Sequence, residues 1–404
     1  MVGDNEIMKK ILAMISAGTI FIGSMFTTSC MNVTNVAGEQ KPYQYVLRDY
    51  DSFNVDTFVA DSLSFTHQTE RNIRLKMSET RPVLIDLQGE METREKDIIQ
   101  KVVDYYNNVF STINENYKFA IRTEETNVLV DDTIIFVANG ELDGSTKGVN
   151  FSKISIPDTG EGLFFWKSQV VIDWEDIKEY DDLFLFGVIL HELGHSLGLG
   201  DVYYEGEEKI VDCLDMTTVM QRNCNMNYAF FPNDYAILQA LYSNEYKKHD
   251  NYEDAVKVVN EKIEKYTRNF YQYYASFLKE KLSISDDLKE SDIPKQLNWV
   301  GEYNSNNYLN YSLTLKENNK CSFLIKDKSG NVLEECEGET IFVDGMLFVK
   351  RLLIKKASNY SGLYNDGDIG MKLMFALYKN GVGNLEIVDA TYLRMNVNIL
   401  ENKR

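Results

Sequence analysis

His191-Glu192-Leu193-Gly194-His195-Ser196-Leu197-Gly198-Leu199-Gly200-Asp201 read as H-E-x-x-H-x-x-G-x-x-D, and each fixed position has a chemical use. On a helix, residues four apart share a face, so His191 and His195 can aim two imidazoles at one cation. Zn²⁺ accepts such nitrogen ligands, and a catalytic site holds it with three protein ligands and an open position for water. Asp201 is the candidate third ligand. Glu205, Glu207 and Glu208 are the alternatives if Asp201 merely follows a helix stop on the surface. Gly198 permits the left-handed turn that would end the helix and return the chain toward the ion. Glu192, adjacent to a ligand, is placed to take a proton from water as general base and to return it as general acid. This chemistry is zinc-dependent hydrolysis.

The plain alternative is a surface helix with two histidines and a glycine cap. The context opposes it, because Leu183-Phe184-Leu185-Phe186-Gly187-Val188-Ile189-Leu190 runs straight into the motif and predicts a buried helix. Buried histidines and a buried glutamate need partners, and a metal ion supplies one.

The stretch resembles the metzincin zinc peptidases, whose usual third ligand is histidine; aspartate there is similar to the snapalysin-type variant. Metzincins carry a methionine turn beneath the metal, which the resemblance assigns to Thr217-Thr218-Val219-Met220, with Met220 as its structural methionine. The segment Phe231–Tyr242 is similar to the last helix of matrixin-like catalytic domains. Pro82–Leu87, Ile134–Val137 and Gln169–Asp173 read as strands of one sheet, and residues 91–110 as a long first helix. The resemblance covers residues 81 to 243 and implies an α+β fold: a metzincin-like zincin domain with a mixed sheet and long helices. It also implies that an extended peptide substrate pairs along a sheet edge, for which Gln169–Asp173 is the candidate strand. Two positions depart from the family pattern. A negative ligand at 201 predicts a weaker Lewis acid and a raised pH optimum. Arg222 stands two residues after Met220, where some relatives place tyrosine; Tyr228 or Tyr235 would have to substitute.

The amino terminus bears on compartment. Lys9-Lys10, an apolar run from Ile11 to Phe26 and then Thr27-Thr28-Ser29-Cys30 resemble a bacterial lipoprotein signal, with Cys30 as the lipidation site. Thr27 departs from the leucine usual in such a cleavage box, and the alternatives are a single anchor or a signal cut elsewhere. The run is shorter than the about 20 residues a spanning helix needs. Four further cysteines suit an oxidising compartment, with Cys213–Cys224 and Cys321–Cys336 as possible disulfides and four buried thiols as the alternative. The expected location is therefore the cell envelope, with membrane attachment through an N-terminal lipid.

Five regions follow: a signal peptide over 1–30, a tether and possible pro-segment over 31–80, and the peptidase-like domain over 81–250. A long helix and linker span 251–297, and an antiparallel all-β domain spans 298–404. In the fourth, Val256, Val259, Ile263, Tyr266, Phe270, Tyr273 and Phe277 recur at helical spacing, an amphipathic helix expected to pack on its own chain. In the last, Tyr311–Leu315, Cys321–Ile325, Ile341–Val343, Met346–Val349 and Met371–Tyr378 alternate as short strands, suggesting a small barrel or sandwich that somewhat resembles lipocalin-like modules. Any latency imposed by 45–80 would use a group such as Asp49 or Asp51, since no cysteine lies there; His67 reads as a surface or structural histidine.

A net charge of −20 argues against nucleic acid and against polybasic membrane contact. Two function classes remain. One is an exported, lipid-anchored zinc endopeptidase acting on protein or peptide, or on peptide-like cell-wall material. The other is a non-catalytic binding or adhesion lipoprotein with a peptidase-like fold. The intact His191, Glu192 and His195 favour the first.

Overall fold

The computed structural model describes residues 27–31, 73–125, 128–129, 131–142, 146–155, 163–201, 218–220, 230, 232–243, 252–282, 301–306, 310–357, 369–370, 376–379, 385–390 and 395–402. The apolar run 11–26, the stretch 32–72 (which holds Asp49, Asp51 and His67) and the linker 283–297 lie outside them, as do Glu205, Glu207, Glu208, Cys213, Arg222, Cys224 and Tyr228. The architecture is α+β.

The first half builds one mixed sheet. Its elements are β1 (Thr27–Met31), β2 (Ile73–Leu75), β3 (Val83–Gln88), α1 (Thr93–Ile113), β4 (Phe119–Ile121), β5 (Ile134–Asn139), β6 (Thr146–Ser155) and β7 (Leu163–Ile172). The single turn α2 (Trp174–Ile177) leads into α3 (Asp182–Ser196), which carries the motif. The strand order is β1-β6-β7-β5-β3-β4, with β2 alongside the start of β7. β3, β4, β5 and β7 run parallel, whereas β6 is antiparallel to β7 and β1 antiparallel to β6.

This order corrects one expectation. Gln169–Ile172 is not a sheet edge: β5 pairs with it on one side and β6 on the other. β6 escapes a pattern search because Thr146-Lys147-Gly148-Val149-Asn150 lacks apolar alternation. Its inward positions are filled by glycine and asparagine, for a reason that lies in the site.

Two long helices cover one face of the sheet. In α1, Ile98, Ile99, Val102, Val103, Tyr105, Tyr106, Val109, Phe110 and Ile113 are buried at three- and four-residue steps. A reciprocal cap starts it, the Glu92 amide donating to Glu95 Oε2 at 2.7 Å. In α3 every residue from Leu185 to Ser196 is buried, so the helix is central. Asp181 caps it, accepting from the Phe184 amide at 2.9 Å, and the Tyr106 hydroxyl donates to Leu190 O at 3.0 Å, joining α1 to α3. These helices enclose Val83, Ile85, Ile135, Val137, Val170 and Ile172 of the sheet in one core.

Two further helices follow, α4 (Pro232–Tyr242) and α5 (Tyr252–Leu282). α5 buries Val259, Tyr266, Phe270, Tyr271, Tyr274, Ala275 and Leu278, while Tyr273 and Phe277 are only partly buried. The buried face is rotated from the expected seam because the helix has two neighbours. Phe270 meets Tyr235 of α4 at 5.5 Å, and Tyr271 meets Phe348 of the following domain at 4.9 Å between ring centroids.

That domain comprises β8 (Gly301–Asn306), β9 (Asn310–Lys316), β10 (Lys320–Lys326), β11 (Val332–Val343), β12 (Met346–Ala357), β13 (Ile369–Gly370), β14 (Ala376–Lys379), β15 (Leu385–Ala390) and β16 (Met395–Asn402). The order is β11-β10-β9-β8-β16-β15-β14-β12-β13, every pair is antiparallel, and β11 also pairs with β12. The pairing therefore returns on itself in a barrel-like circuit. The predicted turn between β10 and β11 is present: Gly330 has φ 85° and Asp327 accepts from the amides of Ser329 and Asn331.

The pairing Cys321–Cys336 is corrected by the same hairpin. Both are buried and neither is in a disulfide; Cys321 lies opposite Gly338 and Cys336 opposite Phe323, so the two are staggered by two residues rather than facing. Cys213–Cys224 falls outside the described residues, and Cys30 lies within β1. Among the described residues no helix is long and apolar enough to cross a membrane.

Candidate metal centre

The end of α3 decides where the third ligand goes. Gly198, at φ 93°, donates to His195 O at 3.0 Å, and the Leu199 amide donates to Gly194 O at 3.2 Å. This pair of bonds is a Schellman stop, which reverses the chain within one turn and needs glycine at the left-handed position. The expected role of Gly198 is met. Leu199 and Gly200 then carry the chain back, and Asp201 arrives at the histidines.

The three side chains converge. His191 and His195 Nε2 are 3.1 Å apart, with the rings near perpendicular at 87°. Asp201 Oδ1 lies 3.2 Å from His191 Nε2 and 3.5 Å from His195 Nε2. The histidines are 0% exposed and Asp201 is 2% exposed. One ligand atom from each residue falls within 4.8 Å of the others, so the group could hold a metal ion.

Proton placement strengthens this assignment. His191 Nδ1 lies 2.9 Å from Val219 O, and His195 Nδ1 lies 2.8 Å from Leu199 O. A carbonyl oxygen only accepts, so each Nδ1 donates and each ring turns its Nε2 toward the other two side chains. Two imidazole Nε2 atoms and a carboxylate thus meet in a buried space. A cation satisfies all three at once, and the donor set fits a divalent metal. Burial alone would push the Asp201 carboxyl up; His195 and then His191 outweigh it and hold it well below the usual carboxylate range.

The support beneath the histidines comes from two other segments. Met220 is fully buried, and its Sδ would lie 2.5 Å from a Cβ on Gly194, so the methionine seats directly on the motif helix. Asp234 of α4 holds the turn: its carboxylate accepts from Thr218 Oγ1 and, at 2.9 Å, from the Val219 amide. Val219 O in turn faces His191, so one residue of a distant helix orients a ligand through the turn. Asp234 was not foreseen, although an acidic residue in the first turn of a helix was visible in the sequence.

Glu192 is fully buried on the same helix. Its neighbour is β6, where a Cβ on Gly148 would come within 2.8 Å of Glu192 Cγ. Tyr235 is not part of this arrangement: its hydroxyl pairs with Thr112 of α1 at 2.7 Å, and burial raises its pKa. It is therefore no substitute for the missing tyrosine. No known family matches the chain, and no characterised protein is recognisably similar to it in sequence.

Proposed function

We propose that this chain is a zinc-dependent endopeptidase of metzincin type, exported and anchored to the cell envelope through a lipid on Cys30. One observation carries the reading: the buried side chains of His191, His195 and Asp201 converge on one point beside a buried Glu192. Zinc, when bound there, supplies Lewis acidity toward a water and a peptide carbonyl. Glu192 takes the proton of the attacking water and delivers it to the leaving amine nitrogen. The backbone carbonyls of Val219 and Leu199 keep both imidazoles in the tautomer that serves a cation.

Substrate alignment falls to β6, the strand that borders Glu192. An extended peptide would pair along its outer side, where β1 now places Thr27, Thr28 and Ser29 opposite Phe151, Asn150 and Val149. Signal cleavage ahead of Cys30 would remove those three residues and vacate that part of the edge.

Cleavage of casein or gelatin by the zinc-loaded protein, beside a Glu192→Ala variant, tests the proposal. Cleavage lost in the variant, with zinc retained, supports a peptidase. Zinc binding with no cleavage, before or after trimming toward residue 80, would favour the non-catalytic binding reading instead.

A further inference from the structure

The contact between α3 and β6 is polar, in a place where apolar packing would be the ordinary solution. Gly148 and Asn150, two apart, lie on one face of the strand. Asn150 Nδ2 donates to the backbone carbonyl of Glu192 and to Ser196 Oγ, each at 2.8 Å. Its Oδ1 accepts from Ser168 Oγ of β7 at 3.1 Å, and the hydroxyls of Ser168 and Ser196 are 2.9 Å apart. Asn150, Ser168 and Ser196 are 3%, 2% and 0% exposed. Such a buried network is directional, holding two elements at one height and one register where methyl groups would slide. At the end of the same contact, a Cβ on Gly148 would lie 2.8 Å from Cγ and 3.0 Å from Oε1 of Glu192.

We infer that Asn150 is a positioning residue for Glu192: it pins β6 to the motif helix at the one height where Gly148 borders the glutamate side chain without displacing it. β6 is thereby both the strand offered to substrate and the wall that orients the base. The catalytic consequence rests on the peptidase reading; the pinning of β6 does not.

The test uses the chain processed at Cys30, which leaves that part of the β6 edge open, and its variants Asn150→Ala, Ser168→Ala and Gly148→Ala. Each is measured for amide hydrogen exchange in 146–151 and in α3, for zinc affinity by chelator competition, and for kcat and KM on a casein-derived peptide. Asn150→Ala is expected to speed exchange in β6 about tenfold and to lower kcat about tenfold, as a small misplacement of a reacting group does. KM and zinc affinity should stay within about twofold, because Val219, Leu199 and Asp234 still orient the ligands. Ser168→Ala should act in the same direction with smaller effect, and serves if Asn150→Ala does not fold. Gly148→Ala should lower kcat with zinc retained. Unchanged β6 exchange and unchanged kcat in Asn150→Ala would overturn the inference. So would a zinc affinity that falls in step with kcat, which would make Asn150 a general support of the helix. If the protein without these substitutions cleaves nothing before or after trimming toward residue 80, the peptidase proposal falls, and exchange alone decides whether Asn150 pins the strand.

Discussion

At the scale of the residue, two imidazoles and a carboxylate are brought to one buried point. Each imidazole Nδ1 donates to a carbonyl and leaves Nε2 facing Asp201, so replacing Asp201 changes what the remaining pair can hold. Asp201→Asn keeps the shape but removes the charge, and should weaken metal binding by about 10- to 100-fold in chelator competition; unchanged affinity would place the third ligand elsewhere. Gly194 is equally exposed to test. A methyl group there would meet Met220 Sδ at 2.5 Å. Gly194→Ala should therefore destabilise the fold by about 1–3 kcal/mol through overpacking, read from denaturant midpoints. The convergence of His191, His195 and Asp201 beside Glu192 was legible in the sequence because their spacing is a property of one helix and one glycine stop. Asn150, Ser168 and Asp234 were not, because each reaches the site from a different element and nothing local marks the meeting point.

At the scale of the element, the long helices and the strands β3, β5 and β7 were readable from their apolar patterns, whereas the short strands β2 and β4 and the long strand β6 were not. The inward residues of β6 serve Glu192 and Ser196 rather than an apolar core, so the alternation that reveals a half-buried strand is missing. The methionine turn depends on α4 in a way that can be measured. Asp234→Ala removes the acceptor for the Val219 amide and loosens the carbonyl that faces His191. Metal affinity should fall about 10-fold or more while the helices persist by circular dichroism; full affinity would show that the turn holds itself. In the β10–β11 hairpin, burial pushes the Cys321 thiol up to about 12, although its exposed counterpart in the unfolded chain ionises near about 8.5. A raised pKa contributes stability fully present below the unfolded value and lost as pH rises toward the folded one. Stability from this group should therefore decline from about pH 8.5 upward, and the folded thiol should resist iodoacetamide at pH 8. Rapid labelling without unfolding would contradict that burial.

At the scale of the whole molecule, α5 joins what sequence patterns divide. Its aromatic face packs on Tyr235 of α4 and on Phe348 of the β domain, and all three belong to one continuous core. The helical spacing of residues 252–282 was readable, but a single seam was too narrow a description for a helix with two partners. Phe348→Ala should cost about 3–5 kcal/mol, as other large-to-small changes in cores do. Thermal unfolding followed by near-ultraviolet signal and by metal release should shift together; independent transitions would show that the two parts are stable separately. The most direct test of the cation site is the metal content of the purified protein by elemental analysis, beside His191→Ala. One zinc per chain, lost in the variant, is the predicted result; a metal-free protein after zinc loading, or zinc equally retained by His191→Ala, would contradict it.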